Sequence, residues 1–175
     1  MMQRPAFFLF RRDTRAAAAA EMALILPMAF ALIFTTMEAG YYFQTEHKAI
    51  KYVREGARYA ARQSFLYYDC SGAGAFDTGA ANAATVETQI KNVTMTGLVS
   101  GGNNRIADWE ASDISINVSC DDGYGTGLFE GTEDSKAPKV LVATRFSYTP
   151  LLGLLGFDVR EIDVVAQAES VVGGL

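Results

Sequence analysis

The 22 residues from Ala16 to Met37, AAAAAEMALILPMAFALIFTTM, carry one charged side chain, the carboxylate of Glu21. A carboxylate in hydrocarbon is costly, and an amine brought beside it at low dielectric is the pairing that makes it tolerable. The same group could instead lie near the interface, snorkel toward water or pair with an arginine of the preceding segment. The residues alone leave both readings open. Cys70 and Cys120 are the only cysteines and His47 the only histidine, a set that does not make a zinc site, so no metal or cofactor is expected. His47 reads as a residue on a helix surface. Carboxylates are plentiful, yet no two are singled out as an acid-base pair, and no nucleophile elbow or phosphate-binding glycine loop occurs. The polar stretch GTGLFEGTEDSKAP reads as a solvated loop, and the chain is not expected to be an enzyme.

The elements that must position Glu21 and the cysteines follow from charge and hydropathy. About 20 apolar residues cross a hydrocarbon core of about 30 Å as a helix, so Ala16–Met37 is long enough to do so. Four arginines and one aspartate among residues 1–15 carry +3 of a formal net charge of −5, which leaves the remainder at −8. Arginines before the apolar run and Glu38 after it place the N-terminus in the cytoplasm and the bulk of the chain outside. A cleavable signal peptide would need a small-x-small site, and FTTMEAGYYF offers no convincing one. The expected organisation is a basic leader at 1–15, a transmembrane helix at 16–40 and a folded domain at 41–175. An acidic folded part is the opposite of what a nucleic-acid binder shows.

After the apolar run, TEHKAIKYVREGARYAARQSF keeps a helical period with two seams. Ile50, Val53, Ala57, Ala60 and Ser64 form a small apolar face, and Lys48, Lys51, Glu55, Arg58 and Arg62 a charged one. Without a strong stop signal, one helix is expected to run from the membrane segment to Tyr68, bent at Pro27. Glycine inside a helix costs about 1 kcal/mol against alanine, so Gly56 beside Ala57, Ala60 and Ala61 points to a closely approaching backbone.

The rest of the chain is of mixed type. CSGAGAFDTGAAN reads as a surface loop, Asn82 as the cap of a short helix that buries Val86, Ile90 and Val93, and Gly97 as its stop. DISINVSC alternates as a half-buried strand. KVLVATRFSY and a segment from about Val159 to Ser170 are two further strands, joined through TPLLGLLGF. The fold class is α+β, a long helix packed on a small antiparallel sheet. Outside the cytoplasm Cys70, at the end of the long helix, and Cys120, at the end of the first strand, are expected to form a disulfide.

The stretch AAAAAEMALILPMAFALIFTTMEAG followed by AIKYVREGARYAA resembles the TadE-like family of pseudopilins, which belong to the tight-adherence (Flp) pilus machinery of bacteria. Glu21, Pro27, Glu38 and the segment Arg54, Glu55, Gly56, Ala57, Arg58, Tyr59, Ala60 and Ala61 carry the likeness, which spans about the first sixty residues. It implies cleavage by a prepilin peptidase between Ala16 and Ala17, which makes Glu21 the fifth mature residue, able to compensate the new N-terminal amine of a neighbouring subunit. Glu38 is the second family carboxylate. Two positions depart from the pattern: Ala16 stands where glycine is usual, and Met22 where an aromatic is usual.

The resemblance implies a minor pseudopilin of the inner membrane, with its C-terminal domain in the periplasm. Its partners would be other pilin-like subunits, pilus assembly proteins, the prepilin peptidase and membrane lipid, with no nucleic acid. The alternative is a membrane-tethered periplasmic ligand-binding domain unrelated to pili, whose pilin-like helix only anchors it. The pairing of Glu21 with REGARYAA favours the first.

Overall fold

The computed structural model describes residues 14–71, 74–77, 79, 83–121, 127–130, 135–155 and 162–174. Helix α1 spans Thr14–Ala61, 48 residues without interruption at Pro27, and at 1.5 Å per residue it is about 70 Å long. Its first half is long and apolar enough to cross a membrane and makes no buried contact with the rest of the chain. Leu24, Met28, Leu32 and Met37 are each at least 60% exposed there. So continuous an apolar surface exceeds what a soluble monomer leaves to water. From Thr45 onward the same helix enters the core, where Ala49, Val53, Ala57 and Ala60 are buried and Lys48, Lys51, Arg54, Arg58 and Arg62 are exposed. Val53, Ala57 and Ala60 of the expected apolar face are buried, but Ala49 takes the place expected of Ile50, which is half-buried, and Ser64 lies past the helix; on the expected charged face Glu55 is half-buried instead of exposed.

The helix stops at Ala61 rather than running on to Tyr68. Its last carbonyls find tertiary partners: Gly173 N donates to Ala61 O at 2.9 Å and Tyr68 Oη to Ala60 O at 2.8 Å. Ser64 then caps a 3-10 turn at Phe65–Tyr67 by accepting from Leu66 N. Satisfied C-terminal carbonyls and a fresh cap together end the helix where no glycine or proline marks the place. Beyond it β1 (Tyr68–Asp69) pairs antiparallel with β2 (Ala75–Phe76), so part of the stretch expected to be a surface loop is a short hairpin. Cys70 therefore follows a strand and not the long helix, and it is bonded to Cys120 with a Cα–Cα distance of 5.7 Å.

Helix α2 (Ala83–Thr96) buries Val86, Ile90 and Thr94, an i, i+4, i+8 seam that leaves Val93 only half-buried. It stops at Gly97, whose φ of +80° suits a residue without Cβ and whose N–H returns to Val93 O. The expected cap at Asn82 lies outside the described residues. Strands β3 (Ile114–Asp121), β4 (Ala137–Ser147) and β5 (Asp163–Val171) form an antiparallel sheet in the order β3-β4-β5. The last of them starts at Asp163, while 159–161, the expected start, lies outside the described residues. The inner face of the sheet supplies Ile114, Val118, Val140, Val142, Val164 and Ala166, and α1 covers it. Trp109, in the segment between α2 and β3, is fully buried and donates from Nε1 to Thr144 Oγ1 at 2.8 Å.

Strand β5 lies along the outer half of α1. Tyr42 Oη reaches Asp163 O at the strand's start, and Gly173 N meets Ala61 O just past its end. About twenty residues of helix at 1.5 Å and ten of strand at about 3.3 Å both cover about 30 Å, so the two elements match in length.

Candidate assembly site

Two carboxylates flank the apolar half of α1, and the fold treats them differently. Glu21 is exposed on the helix and makes no hydrogen bond or ion pair with the described residues. Ala17, one side of the expected cut, is exposed on the same helix; Ala16 belongs to its backbone course. The helix neighbours three and four residues from Glu21 are Ala17, Ala18, Leu24 and Ile25, none of which carries a side-chain donor.

Glu38, at the end of the apolar run, is half-buried and engaged by three donors. Tyr148 Oη donates to its Oε1 at 2.7 Å, Leu151 N to the same oxygen at 3.1 Å and Leu152 N to Oε2 at 3.0 Å. The carboxylate thereby caps the 3-10 turn Leu152–Leu155 in the connection from β4 to β5. Charge-assisted bonds of this kind are stronger than neutral ones, and a carboxylate on exposed N–H groups is the usual cure for a helical N-terminus. Tyr148 is buried, packs against the rings of Tyr41 and Tyr42, and has its phenol pushed well above the usual tyrosine range by burial first and by Glu38 second. No local pattern announces this clasp, whose partners lie 110 or more residues apart. A small cavity lined by Tyr41, Thr45, Lys48, Arg105, Phe146 and Tyr148 sits beside it.

The expected packing segment divides among three neighbours. Gly56 faces α2, where a Cβ would stand 2.0 Å from Thr94 Oγ1 and 3.6 Å from Ile90 O, so the close approach is mostly a side chain's and not a backbone's. Ala57 and Ala60 belong to the core shared with the sheet. Glu55 is ion-paired with Arg105, whose guanidinium lies 4.6 Å from the Tyr52 ring centre, which ties the segment after α2 to α1. Arg54 and Arg58 line a shallow groove with Gln167, Glu169 and Ser170 of β5. Among the described residues no cluster of three His, Cys, Asp or Glu side chains could hold a metal, and His47 is exposed on α1.

Residues 16–58 match the TadE-like protein family. The match bears out the resemblance carried by Glu21, Pro27, Glu38 and the REGAR segment; it takes in the apolar half of α1 and most of its packed half, and none of the sheet. No curated protein and no solved structure matches the chain.

Proposed function

We propose that this protein is a minor pseudopilin or membrane-anchored assembly subunit of a tight-adherence pilus machine, acting through protein contacts. The observation that carries the proposal is the contrast between the two carboxylates within the TadE-like segment. Glu38 is satisfied inside its own chain, whereas Glu21 stands exposed among apolar side chains and makes no hydrogen bond or ion pair with the described residues. In this scheme residues 1–15 form the cytoplasmic leader, 16–40 cross the inner membrane and the domain from 41 onward lies in the periplasm. A prepilin peptidase cuts between Ala16 and Ala17, and Glu21 meets the new N-terminal amine of a neighbouring pilin-like subunit. A carboxylate and an amine at low dielectric attract strongly enough to offset much of the desolvation that each suffers alone. The REGAR segment from Arg54 to Arg58 holds the domain on the helix through Gly56 and Ala57 and presents Arg54 and Arg58 to solvent.

The test separates processing from assembly. Glu21→Gln keeps the side chain's size and removes its charge, so membrane insertion and cleavage persist while piliation and recovery of pilin-like partners fall. Ala16→Asp abolishes both cleavage and assembly, and mass spectrometry of the extracted protein reads the N-terminal residue. Unchanged piliation and partner recovery in Glu21→Gln would reduce Glu21 to an interfacial charge and defeat the proposal.

A further inference from the structure

Strand β5 ends the sheet on one side, and its outer edge is open. Val172 N donates to Pro138 O at 2.8 Å and Tyr148 N to Ile162 O at 2.7 Å, one bond just past each end of the strand. Bonded pairs alternate along an antiparallel ladder, and the register runs unbroken from Lys139–Val171 to Ser147–Asp163. Val164, Ala166, Ala168 and Ser170 therefore bond to β4. The N–H and C=O groups of Val165, Gln167, Glu169 and Val171 point the other way and meet no backbone partner among the described residues. Helix α1 closes the two ends of this edge, through Tyr42 Oη on Asp163 O and Ala61 O on Gly173 N. Between them, Arg54 and Arg58 share their groove with Gln167, Ala168, Glu169 and Ser170, consecutive residues from both faces of β5, which one groove can reach only from the edge.

Natural sheets blunt such edges with proline, bulges, charges or a cover. Strand β5 has nine residues with no proline and no bulge, and Val165 and Val171 are 56% and 45% exposed. The carboxylate of Glu169 is drawn aside toward Lys139 at 3.5 Å. The opposite edge, on β3, is covered: Gly74 lies so close that a Cβ there would stand 2.7 Å from Val118 O, and Cys120 is bonded to Cys70.

We propose that the β5 edge accepts a fourth strand, an extended segment of a partner protein that carries two carboxylates two residues apart. Arg54 and Arg58 are exposed beside the edge and make no ion pair with the described residues. Four residues of helix rise about 6 Å and two of strand about 6.6 Å, so alternate side chains on one face of the added strand meet both guanidiniums. Main-chain bonds to the edge supply affinity, and carboxylates on arginine supply selection. A second copy of this chain does not meet these terms. Antiparallel pairing of two β5 edges would send their α1 helices in opposite directions, which one shared bilayer does not allow. Parallel pairing about a two-fold axis sets identical edge groups at one height, whereas parallel bonds slant between groups a residue apart. The proposal needs only the fold of the domain, so it stands or falls apart from the pilus assignment.

The test uses the full-length protein in detergent micelles and a fluorescein-labelled peptide, TVEVEVT. Anisotropy is expected to show saturable binding, about tenfold weaker in the double variant Arg54→Gln/Arg58→Gln and lost for TVKVKVT. Trp109 emission verifies that the variant is folded. Two N-methylated forms of TVEVEVT keep every charge, one methylated at the valine nitrogens and the other at the glutamate nitrogens. Only one of these alternate sets can face β5, so one form is expected to bind like the parent and the other not at all. Binding by both forms would leave charge attraction alone, and binding by neither would exclude a one-sided edge pairing; each overturns the proposal. Unchanged affinity in the arginine variant, or no saturable binding of TVEVEVT, overturns it as well. Because both native cysteines are disulfide-bonded, Gln167→Cys in vesicles tests the second copy. A disulfide-linked dimer there would assign the edge to another copy of this chain and overturn the partner strand.

Discussion

Gly56→Ala is the sharpest probe of how the domain is held on its helix. Alanine is favoured over glycine in a helix interior by about 1 kcal/mol, so on an open face the change would stabilise. Here the new methyl would stand 2.0 Å from Thr94 Oγ1 and 3.2 Å from Thr94 Cβ. Thr94 is fully buried and donates to Ile90 O at 2.8 Å, so it can yield only by leaving its rotamer or by pushing α2 off α1. Overpacking of this kind costs about 1 to 3 kcal/mol, which gives a net loss of about 1 kcal/mol and a Tm lower by a few degrees. Thr94→Ala alone loses a buried hydroxyl and methyl and also destabilises, by about 1 kcal/mol. The double variant relieves the collision, so it is expected to be more stable than the sum of the singles by at least about 1 kcal/mol. Trp109 is the single tryptophan and is fully buried, so its emission during heating of the full-length protein in detergent follows the core directly. Additive singles, or a Gly56→Ala variant more stable than the parent, would refute the contact between α1 and α2 at this point.

Two further outcomes test other parts of the fold. The Cys70–Cys120 bond leaves the intact, oxidised protein without a reactive thiol until reductant is added, and Cys70→Ser should cost about 4 kcal/mol in the chain-entropy account, seen as lower abundance; two labelled thiols without reductant would contradict it. Burial raises the phenols of Tyr68 and Tyr148 above the ordinary 10.0, so the folded state favours their neutral forms. That stabilisation is complete below about pH 10 and is lost as pH climbs through the folded-state values, so alkaline unfolding should be less steep in Tyr148→Phe, and an unchanged slope in Trp109 emission would refute the assignment.

The parts of this fold that are legible in the sequence are those where a single element carries its own period. The buried seam at Val53, Ala57 and Ala60, the stop at Gly97 and the alternation in β3 follow from spacing within a few turns or strands. Much of what escapes is settled by partners distant in the chain: the end of α1 at Ala61 depends on Gly173, and the burial of Trp109 on Thr144. The β1–β2 hairpin is local, but the glycines of its stretch read as loop. Glu38 shows the same limit at the candidate site. Its type and place at the end of an apolar run were visible, but Tyr148, Leu151 and Leu152 are joined to it only by the return of the sheet. Val93 was misplaced for a subtler reason: steps of three and four both keep one helix face, and Thr94 took the fully buried position because Gly56 makes room for its side chain.

The fastening of β5 along α1 has a mechanical meaning. The strand is tied to the helix near Tyr42 at one end and at Ala61 at the other, and it runs in the same direction as the helix between them. A force drawing the apolar half of α1 along its axis would therefore load the whole helix–strand seam in shear, with many contacts resisting together. A force across the axis would instead peel the same seam open from one end, a few contacts at a time. The domain is built to be pushed or pulled lengthwise by its helix and to yield when levered sideways.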